Sequence, residues 1–476
     1  MSVILQMKKY LTLFLGVIIA AAFFPSCIDD DFTTSPSEVL EFSVDTLNMG
    51  VIFTEEPSTT HRFVVYNRNS KAVSISNIAM QGPNAGLFRL NVDGFSGSDF
   101  SNVEIRANDS IFVFVAATLP ANNQSVPVDV DATLNFTTNG VNQQIIVRAS
   151  GRDITRLRAL TITSDTRLTA NHPYQIFDSL VVAPEATLTI DPGVELLFHD
   201  GAYMAVRGSL KAVGAVDKEI SFAGDRTGNV ITDVSFDIMS RQWLGLFFTS
   251  TSHDNQMDYC HIRNTEYGVT VDGTLTERPV DLSMLNTRLR NSGDIVLQAF
   301  HANITAIGCE FAEAANGCVY LQGGAHIFNH CTFANYYLFS ALGGPILQFW
   351  HLNADSDDDS GRPYTSADLS NCIIYGNGAD LSHGDFTDTN IYLRRCLLKS
   401  DGTDDDHFIS CIWAEDPLYY TVRSDYYFDY RLRPDSPAIG AGDPVLTLPQ
   451  AATDRYGLPR GTQPDLGAYV FVAPQE

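Results

Sequence analysis

One short pattern recurs along the second half of the chain and limits its fold more than any other feature. A small residue, usually Cys, is followed two places on by a large apolar one: Cys260-His261-Ile262, Thr287-Arg288-Leu289, Cys309-Glu310-Phe311, Cys331-Thr332-Phe333, Cys372-Ile373-Ile374 and Cys396-Leu397-Leu398. The steps are 27, 22, 22, 41 and 24 residues. Upstream, three strand-like runs at 180–182, 187–190 and 194–198 come again at 203–206, 209–212 and 219–222, with starts offset by 23, 22 and 25 residues. Three short strands per repeat of this length predict a right-handed parallel β-helix, one repeat per coil. Equal steps put the cysteines on one face of successive coils, about 4.8 Å apart, as buried thiols. No Cys-x-x-Cys pair points to a metal or redox site instead. Cys318 and Cys411 fall outside the motif and receive no role.

The step of 41 holds about one further coil's worth of chain, including Phe349-Trp350-His351 and the acidic stretch 355–361. It reads as an insertion projecting from the stack, and 224–241 reads as another. From 158 to 433, at ~23–25 residues per coil, about 10–11 coils are expected, a rod of roughly 45 Å.

Residues 38–152 carry a different signal. Short alternating runs, such as Arg62-Phe63-Val64-Val65-Tyr66, Ile111-Phe112-Val113-Phe114-Val115 and Gln144-Ile145-Ile146-Val147-Arg148, are separated by turn residues such as Asn67-Arg68-Asn69-Ser70 and Asn139-Gly140. No helical period competes over a long window. Strands of this length over about a hundred residues predict a β-sandwich. The stretches Leu47–Val51, Tyr66–Asn69 and Ala149–Gly151 resemble the immunoglobulin-like modules that precede larger domains in secreted bacterial proteins. The expected role is a spacer. The fold class is therefore all-β: an immunoglobulin-like sandwich, a right-handed parallel β-helix over 158–433, and a C-terminal cap over 434–476.

Residues 1–26 have the layout of an export signal. Lys8 and Lys9 precede a 15-residue apolar run from Tyr10 to Phe24, short for a membrane span. The run ends at Pro25-Ser26-Cys27, which resembles the lipobox of bacterial lipoproteins and implies lipidation of Cys27. Asp29, Asp30 and Asp31 follow, within an acidic tether over 27–37, and resemble the surface-export signal of Bacteroidetes-type lipoproteins. The resemblance implies an outer-membrane protein facing the cell exterior, with Met1 or Met7 as its start.

Charge narrows the partners. With 30 Lys+Arg against 56 Asp+Glu, the 476-residue chain has a formal net charge of −26. Nothing in such a surface neutralises nucleic-acid phosphates, so a nucleic-acid partner is excluded.

Two further passages carry a family resemblance. Glu219-Ile220-Ser221-Phe222 with Trp243-Leu244-Gly245-Leu246-Phe247-Phe248 is similar to the strand-then-W-x-G passage of bacterial right-handed β-helix proteins. Asp416-Pro417-Leu418, Asp429-Tyr430-Arg431-Leu432, Ser436–Gly442, Asp454–Gly457, Arg460 and Asp465–Tyr469 resemble, in order, the terminal module of surface β-helix proteins called choice-of-anchor Q. This implies the fold and leaves activity open, because one fold hosts lyases, hydrolases and adhesins.

Chemistry is harder to find. Pectin-cleaving β-helix hydrolases resemble one another in a Gly-His-Gly and an Arg-x-Lys, and neither occurs here. Asp355, Asp357 and Asp359 place carboxylates on one side of a loop, as Ca²⁺ prefers, although Gly361 and Ser366 depart from an EF-hand loop. His383, Asp385 and Asp294 offer acid/base groups without an orienting partner. Aromatic pairs give the clearer expectation. On a strand, adjacent side chains point opposite ways, so one ring of Tyr336-Tyr337, Phe349-Trp350, Tyr419-Tyr420 and Tyr426-Tyr427 is displayed outward. Trp350, Tyr337, Tyr420 and Tyr427 are the ligand-contacting candidates, with a polysaccharide or other extracellular ligand as partner, since sugar rings stack on aromatic faces. The leading expectation is a binder without catalytic machinery; the alternative is a polysaccharide lyase or glycoside hydrolase working on a long face of the rod.

Overall fold

The computed structural model describes residues 31–231, 234–275, 278–353, 361–382 and 386–474, and the chain divides into two compact units, 1–153 and 154–476. Both are all-β, apart from short 3-10 turns.

The first unit pairs a five-stranded with a six-stranded sheet. Alternation along each strand sends one set of side chains into a shared core: Phe63, Val65, Val113 and Val115 from one sheet, Ile75, Ile78, Leu134, Phe136 and Val147 from the other. The Asn139-Gly140 turn has positive φ at both residues and joins Val128–Thr138 to Val141–Arg152 across a two-residue loop, with Thr138 opposite Val141. The pairs are antiparallel except that Val141–Arg152 also runs parallel to Thr46–Phe53.

The second unit is solenoid-like. Its strands stack in parallel as an 18-stranded sheet and a 10-stranded sheet. The larger sheet comprises two ladders. Face A runs through Glu195–Phe198, Ile220–Gly224, Cys260–Ile262, Arg288–Ser292, Glu310–Ala314, Thr332–Asn335, Ile373–Gly376 and Leu397–Leu398. Face B runs through Tyr203–Val206, Gly245–Phe248, Val269–Asp272, Leu297–Phe300, Val319–Gln322 and Leu347–Trp350. The 10-stranded sheet is face C, from Thr166–Leu168 to Phe408–Ile409. The inward residues of the three faces form one continuous core.

The recurring motif is the corner from face C to face A. Ile262, Leu289, Phe311, Phe333, Ile374 and Leu398 pair rung on rung. The residue before each small position is left-handed: Tyr259, Asn286, Gly308, His330, Asn371 and Arg395 all have φ between 48° and 63°. One left-handed residue turns the chain sharply, and the next side chain is driven into the tight interior of the corner. A thiol fits there and has a donor to use. The Sγ of Cys309, Cys372 and Cys396 lies 3.4, 3.4 and 3.5 Å from the carbonyl two residues earlier. Thr287 replaces a cysteine without breaking the pattern, because its hydroxyl donates to the carbonyls of Leu285 (3.1 Å) and Met257 (2.8 Å).

One sequence expectation needs correction at this point. Cys411 is not outside the pattern: Ser410 is left-handed, Leu398 pairs with Trp413, and Cys411 is the next rung, reached after a shortened coil. Cys318 is buried beside face B. The described cysteines are all free thiols.

Both insertions lie within coils of the stack. Phe333 pairs directly with Ile374, so the extra residues of the 41-residue step belong to one coil and fall between Asn335 and Leu347 and between Trp350 and Thr365. The 224–241 insertion contains a small hairpin and a 3-10 turn, held by Asn264, whose amide donates to the carbonyls of Phe236, Asp237 and Met239 at 3.1, 2.9 and 2.7 Å.

The C-terminal segment was expected to close the open end of the stack. Its contacts run along the side instead, over face A and the C-to-A corner. Tyr419, Tyr430, Leu432, Ala438, Leu466, Ala468 and Tyr469 pack on outward residues of face A, namely Ala312, Ala334, Ile373 and Leu397. Those outward positions are small or apolar, so this face needs a cover.

Candidate ligand-binding surfaces

Charged groups from different coils do converge, and they do so under this C-terminal cover. Glu219 meets Arg288 at 2.9 Å and also Arg455; Arg290 pairs with Glu310 (2.8 Å, Nη2 to Oε2), which also accepts from the Tyr469 hydroxyl. Tyr430 donates to Glu313, whose carboxyl burial pushes up to about 7. Arg288 and Arg263 reach Nδ1 of His261 at 3.2 and 3.3 Å, and burial together with these cations holds His261 well below its ordinary pKa. Such a set resembles catalytic machinery in composition, yet Glu310 and Glu313 are each 1% exposed and no substrate reaches them. The arrangement fastens one segment to another.

Face B differs: among the described residues its outward side chains are partly or well exposed, not buried under another segment. Pairing aligns its outward residues in two columns. One holds Phe247, Thr270, Gln298, Tyr320 and Gln348; the other holds Asp272, Phe300, Gln322 and Trp350. Three rings on three successive coils form a zigzag: Phe300 to Tyr320 is 5.4 Å between centroids, and Tyr320 to Trp350 is 6.1 Å with the planes 27° apart. Glutamines stand between them, and the Tyr320 hydroxyl bonds Gln322 at 2.9 Å. Trp350 is 54% exposed, while Phe349 beside it is 5% exposed and in the core. Tyr364, on the excursion that rejoins the stack at Thr365, lies tilted against His351 with ring centroids 4.9 Å apart and is also exposed. Arg362 ties that excursion to the solenoid by donating to the Gly273 carbonyl at 2.9 Å.

A second surface lies in the C-terminal segment. Residues 419–432 form a hairpin arm, with isolated bridges Tyr419 to Leu432 and Val422 to Tyr427. Tyr419, Tyr430 and Leu432 point inward, so Tyr420, Tyr427 and Arg431 line a groove of 730 Å³ with Tyr456 and Val470. Arg431 is held by Asp429 (2.6 Å), which also accepts from the Tyr427 hydroxyl (3.0 Å).

Of the sequence candidates, Trp350 stands on the ringed face and Tyr420 and Tyr427 in the groove. Tyr337 does not belong with them. It is 2% exposed, its hydroxyl is 2.6 Å from Ser240 in the other insertion, and Arg423 of the C-terminal segment donates to its carbonyl. It follows the strand end at Asn335, so strand alternation does not apply to it. Cys27, Asp355, Asp357, Asp359, His383 and Asp385 lie outside the described residues. Among the described residues no cluster of three His, Cys, Asp or Glu side chains is arranged to hold a metal ion. Asp294 accepts from the Asn316 amide (2.8 Å) in a turn. In the acidic cluster 404–407, Asp404 accepts from the backbone of Ser410 and Cys411 and from the Trp413 indole. Phe300, Tyr320 and Tyr456 were missed. Phe300 and Tyr320 have a sequence signal: each takes an outward place in an alternating strand, as in Val319-Tyr320-Leu321-Gln322.

No protein-family model matches the chain, and no curated protein does. Solved structures give faint likenesses. One is a protein of unknown function from Porphyromonas gingivalis, at 16% identity over 27% of this chain and 51% of that one, with a TM-score of 0.18. Another is a family 123 glycoside hydrolase from Clostridium perfringens, at 11% identity over 24% of this chain and 26% of that one, TM-score 0.18. A third is the catalytic unit of a GH87 α-1,3-glucanase from Streptomyces thermodiastaticus, at 11% identity over 64% of this chain and 66% of that one, TM-score 0.15. The chain thus spans about half of the first of these proteins and about a quarter of the second. At such TM-scores the likenesses carry no weight for fold or activity.

Proposed function

We propose that this chain is a lipid-anchored surface protein of the outer membrane that binds extracellular glycans. In this reading Cys27 carries the lipid, the first unit is an immunoglobulin-like spacer, and the solenoid is a right-handed parallel β-helix presenting face B to its ligand. The observation that carries the binding role is the zigzag of Phe300, Tyr320 and Trp350 with interleaved glutamines. Aromatic faces give sugar rings an apolar platform, and amide side chains give their hydroxyls donors and acceptors. The spacing suits a chain lying along the solenoid, because one pyranose is about as long as the ~4.8 Å rise between coils. The acidic balance of the protein favours an uncharged glycan over a polyanionic one.

The test is an array of soluble neutral and uronic-acid polysaccharides, scored for retention and for chain shortening. Retention of a neutral glycan is expected, falling at least tenfold in a Tyr320→Ala/Trp350→Ala double variant. Retention unchanged in that variant overturns the assignment of face B. Shortening of any polymer replaces the binding role with the lyase or hydrolase alternative. Loss of palmitate labelling on Cys27→Ala is the expected outcome for the anchor, and undiminished labelling removes it.

A further inference from the structure

The groove between the hairpin arm and the chain's last described residues is separate from face B, because its segment packs on face A. Its chemistry is specific in three respects. Its walls are aromatic rings and aliphatic groups: Tyr420, Tyr427 and Tyr456 with Leu458 and Val470. Tyr427 and Tyr456 are 48% and 47% exposed, so the rings stand in the open without being core. Its cation, Arg431, is neutralised: Asp429 accepts from both Nε and Nη2, at 3.0 and 2.6 Å. A groove with no unbalanced charge does not select an anion or a cation. Its volume of 730 Å³ lies in the range of small-ligand sites and exceeds what a single six-membered ring fills.

We propose that this groove is a second carbohydrate-recognising site that takes the terminal one or two uncharged pyranose rings of a glycan chain. The phenol faces supply stacking, and the Tyr427–Asp429–Arg431 relay supplies fixed donors and acceptors for ring hydroxyls. The consequence is bivalency. A chain interior lies on face B, an end enters the groove on another side of the solenoid, and one molecule bridges two glycan chains. The bridging consequence rests on the reading of face B given above; the groove itself does not.

Saturation-transfer NMR on the full chain, with cellobiose, laminaribiose and maltose as probes, addresses the groove alone. Transfer from protein to at least one disaccharide is expected. It is expected to fall at least fivefold in Tyr427→Ala and Tyr456→Ala and to survive in Tyr427→Phe, which keeps the ring. Both positions are about half exposed, so their truncation leaves the fold standing. Absence of transfer to every disaccharide, or transfer indifferent to Tyr427→Ala, overturns the site. Preference for p-nitrophenol over the sugars overturns the ligand class. Bridging is then read as turbidity when protein is mixed with a retained polysaccharide. Tyr427→Ala is expected to abolish turbidity. If Tyr320→Ala/Trp350→Ala leaves retention and turbidity unchanged while the disaccharide still binds, the face B reading fails and the groove stands. Turbidity unchanged in Tyr427→Ala overturns the bridging role.

Discussion

At the scale of single residues, the corner column shows why a thiol recurs where a bulkier side chain cannot. The left-handed residue before it leaves little room, and the carbonyl two places back lies within reach of an S–H or O–H donor. Burial pushes the ionisation of Cys260 in this column well above the ordinary range and that of Cys411 up to about 12, and does the same to Cys318 beside face B. A thiol held protonated in this way is a poor nucleophile. Thr287 supplies the natural control. Cys309→Thr and Cys309→Val put the same branched shape into the corner, so most of the overpacking is shared between them, and only the first keeps a donor for the Ile307 carbonyl. Cys309→Thr is therefore expected to be more stable than Cys309→Val by about 0.5–1.5 kcal/mol in urea unfolding. Equal stability would show that volume alone governs the corner.

At the scale of elements, the C-terminal segment is held by buried polar contacts as well as apolar ones. Glu313 sits in the left-handed region at φ 58° within the face A strand, which aims its carboxyl at the Tyr430 hydroxyl. Burial raises its pKa to about 7 from an ordinary 4.5, against the hydrogen bonds from Tyr430 and the Tyr336 backbone. The folded protein therefore keeps this proton up to about pH 7, whereas the unfolded chain gives it up above about 4.5. Between those values the folded state binds more protons, and stability falls as pH rises, by up to about 1.4 kcal/mol per pH unit. Glu313→Gln keeps an acceptor and carries no charge. The variant is expected to gain on wild type as pH rises from 5 to 8, with no difference in slope below pH 4. The buried His326, lowered to about 4, has the opposite sign: its contribution is lost as pH falls from about 6.5 towards 4. That contribution is common to both proteins and cancels in the comparison. Parallel melting curves across this range would remove Glu313 from the account.

At the scale of the whole molecule, each coil of the second unit contacts mainly its neighbours. Stability is then a sum over interfaces, with the two ends the weakest points. The shortened coil carrying Cys411 lies at one such end, and Cys411 is the described cysteine that is not fully buried. Alkylation with iodoacetamide under native conditions, followed by mass spectrometry, is expected to label Cys411 first and the other core thiols only together with unfolding. Early labelling of Cys309 or Cys331 would contradict a continuous core.

Much of this architecture was legible in the chain. The step of the Cys-x-apolar motif gives the coil, because parallel in-register stacking makes every coil repeat the same packing problem at the same corner. Alternation at Phe349-Trp350 gives that one ring is inside and the other outside, since the two faces of a strand are fixed by the backbone alone. It fails at Tyr337, which lies beyond a strand end, where only contact with the other insertion decides burial. Cys411 escaped because a shortened coil breaks the step while keeping the corner. The tertiary structure alone decided where the C-terminal segment goes. Its turns mark an ending in sequence, but small outward residues on face A, scattered over Ala312, Ala334, Ile373 and Leu397, select the side of the stack as its seat. It likewise decided which aromatics meet. Phe300, Tyr320 and Trp350 are 20 and 30 residues apart in the chain and become neighbours because successive coils put them on one face. A sequence repeat fixes what each coil must bury; which outward side chains share a surface depends on register between coils, and register is a property of the folded stack.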